Sequence, residues 1–143
     1  MIRLLAIDDD TDRYDGLRRL LGERVVLDVA SCRECVARLL PSAAAVLLDY
    51  DLDSGEPCSC GRPLIPAKGP HMIPLKATDY VPQVAASGLP TVIVSASHPE
   101  NVRLLRVMLS DAGQSVRLRT VLSVVETDPE IRWLGWLWAA GVL

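Results

Sequence analysis

An unbroken apolar run, Ala43-Ala44-Ala45-Val46-Leu47-Leu48, stops abruptly at alternating carboxylates, Asp49, Asp51 and Asp53. A short continuous apolar run bounded by polar residues suits a strand buried on both faces, as in a parallel sheet covered by helices. Asp49 then falls at the strand's carboxyl end, the edge of an open α/β sheet where ligands bind. The amino terminus repeats the pattern: Ile2-Arg3-Leu4-Leu5-Ala6-Ile7 runs into Asp8, Asp9 and Asp10. If these strands are neighbours, three or more carboxylates converge on one point. Protons or a cation must neutralise such a cluster, and hard oxygen ligands select Mg²⁺, Mn²⁺ or Ca²⁺ over softer metals.

The intervening chain supplies the remaining layers. Asp10, Thr11 and Asp12 offer helix caps, and Tyr14, Leu17, Leu20 and Leu21 recur at helical spacing until Gly22. Residues 24–29 read as a second strand. Ser31 caps a helix carrying Cys35, Val36, Leu39 and Leu40, which Pro41 stops. Residues 54–76 break the βαβαβ rhythm with a Pro-, Gly- and Cys-rich insert, and so long a segment without elements of its own is usually functional or mobile. Residues 78–87 form a weak helix because Pro82 intrudes, and Gly88 ends it. Residues 90–95 are the next buried strand. Ser97, His98, Pro99 and Glu100 form a capping box with proline in the first turn, launching a helix to Ala112 and Gly113. Residues 116–125 contain the fifth strand, and Thr127 to Glu130 repeat the cap before a final helix at 127–141. The expectation is one doubly wound (βα)₅ parallel sheet of flavodoxin-like order spanning residues 1–143, with right-handed crossovers and an insert after the third strand.

Composition narrows the function classes. The chain has 143 residues, half of them hydrophobic, and no Phe, so its core is aliphatic. A net charge of −3 with dispersed arginines leaves no basic stripe, which argues against direct DNA binding. No apolar stretch reaches membrane-spanning length, and Asp8 interrupts any signal-peptide pattern, so a cytoplasmic protein is expected. Its four cysteines are then thiols or metal ligands rather than disulfides.

With these elements in order, the chain resembles the receiver domain of two-component response regulators over roughly residues 1–125. "LLAIDDD" is similar to the family's first strand with its acidic pair, at Asp8 and Asp9. "AAVLLDYDL" is similar to its third strand with the phosphoacceptor, at Asp49, and "PTVIVSAS" to its fourth, ending in the switch hydroxyl, at Ser95. The resemblance implies a Mg²⁺ site formed by Asp8, Asp9 and Asp49, phosphoryl acceptance at Asp49 and coupling through Ser95. The family's lysine followed by proline has no counterpart; Arg117 and Arg119 lie nearby. The insert is also foreign to ordinary receivers. "DYDL" and "VSASHPENV" resemble instead a divergent receiver-like group proposed to process cyclic phosphates, with Tyr50 where that group favours histidine. The Asp-x-Asp of residues 8–10 also resembles the haloacid dehalogenase phosphatases, without their following Thr or Val at Asp12.

His98, on the same sheet edge, is a candidate general acid or base, or an exposed histidine in a helix's first turn. Cys32 and Cys35 have C-x₂-C spacing at a helix start, and Cys58 and Cys60 have C-x-C spacing in the insert. The four would meet around a structural Zn²⁺, with His71 as a substitute ligand; alternatively Cys35 is core, Cys32 is surface and the insert is a lid. Trp133, Leu134 and Leu137 share one face of the last helix, and a Trp136 or Trp138 left outside would mark a partner surface, commonly a homodimer. Three functions follow. The first is a stand-alone receiver-like module that senses or accepts phosphate and is read by a protein partner. The second is a metal-dependent phosphoesterase acting on a cyclic or nucleotide-like phosphate through His98. The third is a degenerate receiver acting as a scaffold.

Overall fold

A computed structural model describes residues 1–52, 58, 60, 74, 76–95, 97–114 and 118–121, of which 20, 114 and 118–121 by backbone alone. Five parallel strands form one sheet: β1 (Ile2–Ile7), β2 (Val25–Ala30), β3 (Ala45–Leu48), β4 (Thr91–Val94) and β5 (Leu118–Val121), in the order β2-β1-β3-β4-β5. The helices α1 (Asp15–Leu21), α2 (Arg33–Leu39), α3 (Val81–Ser87) and α4 (Pro99–Leu109) lie between successive strands. This is the doubly wound flavodoxin-like α/β order expected from the sequence.

The continuous apolar runs are explained by burial on both sheet faces. Leu5 and Ile7 of β1, Val46 and Leu48 of β3 and Ile93 of β4 face a core with Val36 of α2, Val81 and Val84 of α3, and Val102, Leu105 and Leu109 of α4. Their alternating neighbours Leu4, Ala6, Ala45, Leu47, Val92 and Val94 face a second core with Tyr14 and Leu17 at α1. β3 and the Val92–Val94 stretch of β4 are wholly apolar and buried on both faces, and the polar residues Asp49 and Ser95 come directly after them. Each fully buried aliphatic side chain contributes about 1.5–3 kcal/mol.

Several junctions differ from the sequence-based expectation. Before α2 the cap is Cys32, not Ser31: Cys32 has extended backbone and its Sγ accepts from the Cys35 N–H at 3.5 Å. Before α4 the cap is His98, not Ser97, and its Nδ1 accepts from the Glu100 N–H at 3.4 Å. Pro82 does not weaken α3; it occupies the first turn, where a missing N–H costs nothing. The approach to α1 is a 3₁₀ turn at Asp12–Tyr14. The carboxylate of Asp10 accepts from the Asp12 and Arg13 N–H groups there, at 3.1 and 3.3 Å. The expected helix at 127–141, its tryptophans, Arg117, His71 and most of the insert lie outside the described residues.

The neck of the insert is described. Asp51 and Lys76 form an antiparallel bridge, Lys76 Nζ lies 2.7 Å from Asp51 Oδ1, and the Ala77 N–H donates to the Tyr50 carbonyl. The chain therefore returns to its point of departure before α3.

Candidate functional site

Strand register assembles the acidic pocket. Ile7 of β1 is opposite Leu48 of β3, and one step further the Asp49 N–H donates to the Ile7 carbonyl at 3.0 Å. Asp8 and Asp49 therefore leave adjacent strands side by side at the carboxyl edge. Oxygens of Asp8, Asp9 and Asp49 all lie within 4.8 Å of one another. All three residues are buried, with 1%, 9% and 3% of their surface exposed. Three hard oxygen donors on one buried point fit a divalent cation such as Mg²⁺ or Mn²⁺.

Two side chains that the sequence reading did not assign to the pocket complete it. Arg13 Nη1 donates to Asp8 Oδ2 at 3.1 Å and lies 3.2 Å from Asp49 Oδ2, bridging the two carboxylates. The hydroxyl of Tyr14 donates to Asp8 Oδ2 at 2.6 Å, and the Asp10 N–H donates to Asp8 Oδ1 at 2.9 Å. Tyr14 is predicted from spacing as a packing residue, and it is fully buried, but its hydroxyl faces the carboxylate. The signal for Arg13 was its place in the first turn after the acidic cluster, where a cation is within reach of the preceding strand end.

Electrostatics follow from burial. Desolvation and the neighbouring Asp49 charge raise Asp8 from its ordinary value of 3.8 to about 7, against the opposing pull of Arg13, Tyr14 and the Asp10 N–H. Asp49 is also raised by burial, and Arg13, the Ser95 hydroxyl and the Tyr50 N–H work against that rise. The repulsion from Asp49 that helps to raise Asp8 is what a cation shared by the two carboxylates would relieve.

Ser95 is fully buried at the end of β4. Its hydroxyl bonds the Asp49 carboxylate and its Oγ accepts from the Ser97 N–H at 3.1 Å, so it links the pocket to the loop before α4. His98 is exposed, and its described hydrogen bond belongs to its own helix. The structure brings Ser95 to Asp49 and describes no such contact for His98.

The four cysteines form a second cluster. Sulfurs of Cys32, Cys35, Cys58 and Cys60 lie within 4.8 Å of one another; the first three are buried and Cys60 is exposed. Cys32, read as surface in one alternative, is 1% exposed. Burial works to raise the Cys58 thiol, but N–H groups of Ser31, Cys60 and Cys32 outweigh it and lower the thiol to about 6.

No protein-family model matches the chain, and no curated protein matches it. Solved structures do. One is described as a response regulator receiver domain protein (CheY-like) from Methanospirillum hungatei JF-1, with a TM-score of 0.60 at 13% identity over 99% of this chain and 94% of that one. A two-component response regulator from Clostridium difficile aligns with a TM-score of 0.60 at 14% identity, over 96% of this chain and 94% of that one. The chain thus has a receiver-like fold. No helix among the described residues is long and apolar enough to cross a membrane.

Proposed function

We propose that the chain is an atypical receiver-like signalling module whose pocket of Asp8, Asp9 and Asp49 binds Mg²⁺ (or Mn²⁺) and senses or accepts a phosphoryl group. The observation that carries this reading is the convergence of three buried carboxylates from adjacent strand ends, with Ser95 on the acceptor carboxylate. Asp8, Asp9 and Asp49 would hold the cation, which neutralises the acids and screens incoming phosphoryl oxygens.

The protein's own groups orient the acceptor. The Tyr50 N–H holds Asp49 Oδ1 at 2.8 Å, and Arg13 holds Oδ2. The guanidinium occupies the ground between Asp8 and Asp49 that a cation would use, so the two compete for the same oxygens. Once Arg13 releases Asp49, its charge is placed to meet a phosphoryl group, the task of the lysine missing from the resemblance. Arginine is a planar fork rather than a compact point charge, so labelling by small phosphodonors should be weak even where the cation binds. A Ser95 hydroxyl drawn toward added charge on Asp49 would pull the Ser97 N–H and the start of α4 with it, giving a protein partner a surface to read.

Thermal melting with and without millimolar Mg²⁺ tests the reading, together with an aspartyl-phosphate mimic. Mg²⁺ should raise Tm by mass action, Asp9→Asn should weaken that rise, and the mimic should bind only when the cation is present. Melting unaffected by Mg²⁺ would discard the metal site.

A further inference from the structure

The cysteine cluster plays no part in the acidic pocket, yet it is assembled from two segments far apart in the chain. Cys32 and Cys35 belong to the β2–α2 junction, and Cys58 and Cys60 to the insert that leaves β3. All four sulfurs lie within 4.8 Å of one another, and Cys32 Sγ is 4.0 Å from Cys60 Sγ. Four thiolates about 2.3 Å from one tetrahedral ion stand roughly 3.8 Å apart, whereas a disulfide requires about 2.05 Å. The four sulfurs are close enough to share one ion, and the Cys32–Cys60 pair is far longer than a disulfide.

The surroundings point the same way. The Ser31 N–H donates to Cys58 Sγ at 3.4 Å and the Cys35 N–H to Cys32 Sγ at 3.5 Å. The Arg38 guanidinium lies 3.9 Å from Cys35 Sγ. Burial works against charge on Cys32 and Cys35, and these N–H donors and the guanidinium offset part of that cost, as the outer groups of a metal site do. The Tyr80 hydroxyl donates to the Ser31 carbonyl at 2.6 Å, which fixes the turn bearing the first cysteine pair.

We propose that Cys32, Cys35, Cys58 and Cys60 form a structural Zn²⁺ site that pins the insert to the start of α2. Four soft thiolates in a closed set select zinc over the hard cations suited to the acidic pocket, and leave no open position for catalysis. Loading releases the protons of those sulfurs that are still thiols and involves no oxidation. The Asp8 N–H donates to the Ala30 carbonyl, so β2 ends beside the acidic pocket and the pinned turn stands at the same sheet edge. The insert is thereby fastened twice, at the Asp51–Lys76 neck and at the sulfur cluster.

The protein purified under reducing conditions without chelator should carry one zinc per chain by elemental analysis. Replacement by Co²⁺ should give thiolate-to-cobalt charge-transfer bands and the visible bands of a tetrahedral sulfur site. Cys60 is the exposed member, so Cys60→Ser should keep the far-ultraviolet circular dichroism of the parent and its Mg²⁺-dependent Tm shift. Its cobalt affinity should fall by more than the roughly 10–100-fold that loss of an outer partner costs. Iron in place of zinc, a Cys32–Cys60 disulfide in the metal-free protein, or cobalt binding unchanged in Cys60→Ser would each overturn the proposal. The acidic pocket contributes no sulfur, so either site can fail in these measurements without the other.

Discussion

Arg13 holds together a pocket that would otherwise repel itself. Its Nη1 contacts carboxylates on two strands, and desolvation limits how much water can substitute for it. Arg13→Gln should therefore have two opposite effects. Metal-free Tm should fall, because Asp8 and Asp49 lose their shared counter-charge, while the Tm gain from Mg²⁺ should grow, because a competitor for the same oxygens is gone. Loss of both the metal-free stability and the Mg²⁺ response would show instead that Arg13 helps to build the cation site. Ser95 is the second side chain with a divided allegiance, bonded to Asp49 on one side and to the Ser97 N–H on the other. Ser95→Ala should leave Mg²⁺ binding intact yet abolish the change that an aspartyl-phosphate mimic produces at the α4 N-terminus, followed by amide hydrogen exchange there. An undiminished exchange response in that variant would remove Ser95 from the coupling.

The helices of the α2–α3–α4 face are short, so their ends carry much of their specification. α3 has seven residues and stops at Gly88, which takes φ +66°, ψ +7° while its N–H returns to the Ala85 carbonyl. No atom lies within 4 Å of where a Cβ would stand, so the cost of a side chain there is purely conformational. Gly88→Ala should lower stability by about 1 kcal/mol, measured by urea denaturation, without changing the m-value. A neutral effect would show that α3 ends differently in solution. α2 and α4 are entered through Cys32 and His98, each shifted one residue from the serine that composition favours. Both substitutes have an acceptor atom within reach of a first-turn N–H. The backbone angle at the junction, rather than residue preference, decided which one caps.

Across the whole molecule, the raised Asp8 links stability to pH. The unfolded chain releases this proton near pH 3.8 and the folded, metal-free chain near about 7, so the folded state holds more protons between those values. Stability of the metal-free protein should then decline as pH rises from about 4 to about 7 and level off above, with Asp49 acting in the same direction. Mg²⁺ competes with those protons, so its stabilising effect should be larger at pH 8 than at pH 5. A Mg²⁺ shift in Tm independent of pH would separate the cation from these carboxylates. Much of this architecture was readable in the chain. The apolar runs Leu4–Ile7, Ala45–Leu48 and Val92–Val94 required two covered faces, and the polar residue that ends each run, Asp8, Asp49 or Ser95, falls on one edge of the sheet. The C-x₂-C spacing marked Cys32 and Cys35 as a pair in the same way. Local pattern left reach conditional, however: the carboxylates converge only if β1 and β3 are neighbours, and the cysteines only if the insert turns back to α2. Parallel register set Asp8 beside Asp49, the turn into α1 brought Arg13 between them, and the returning insert set Cys58 and Cys60 against the start of α2. Strand burial follows from short-range hydrophobic periodicity, whereas charge pairing and sulfur convergence depend on distances between segments that only the folded backbone defines.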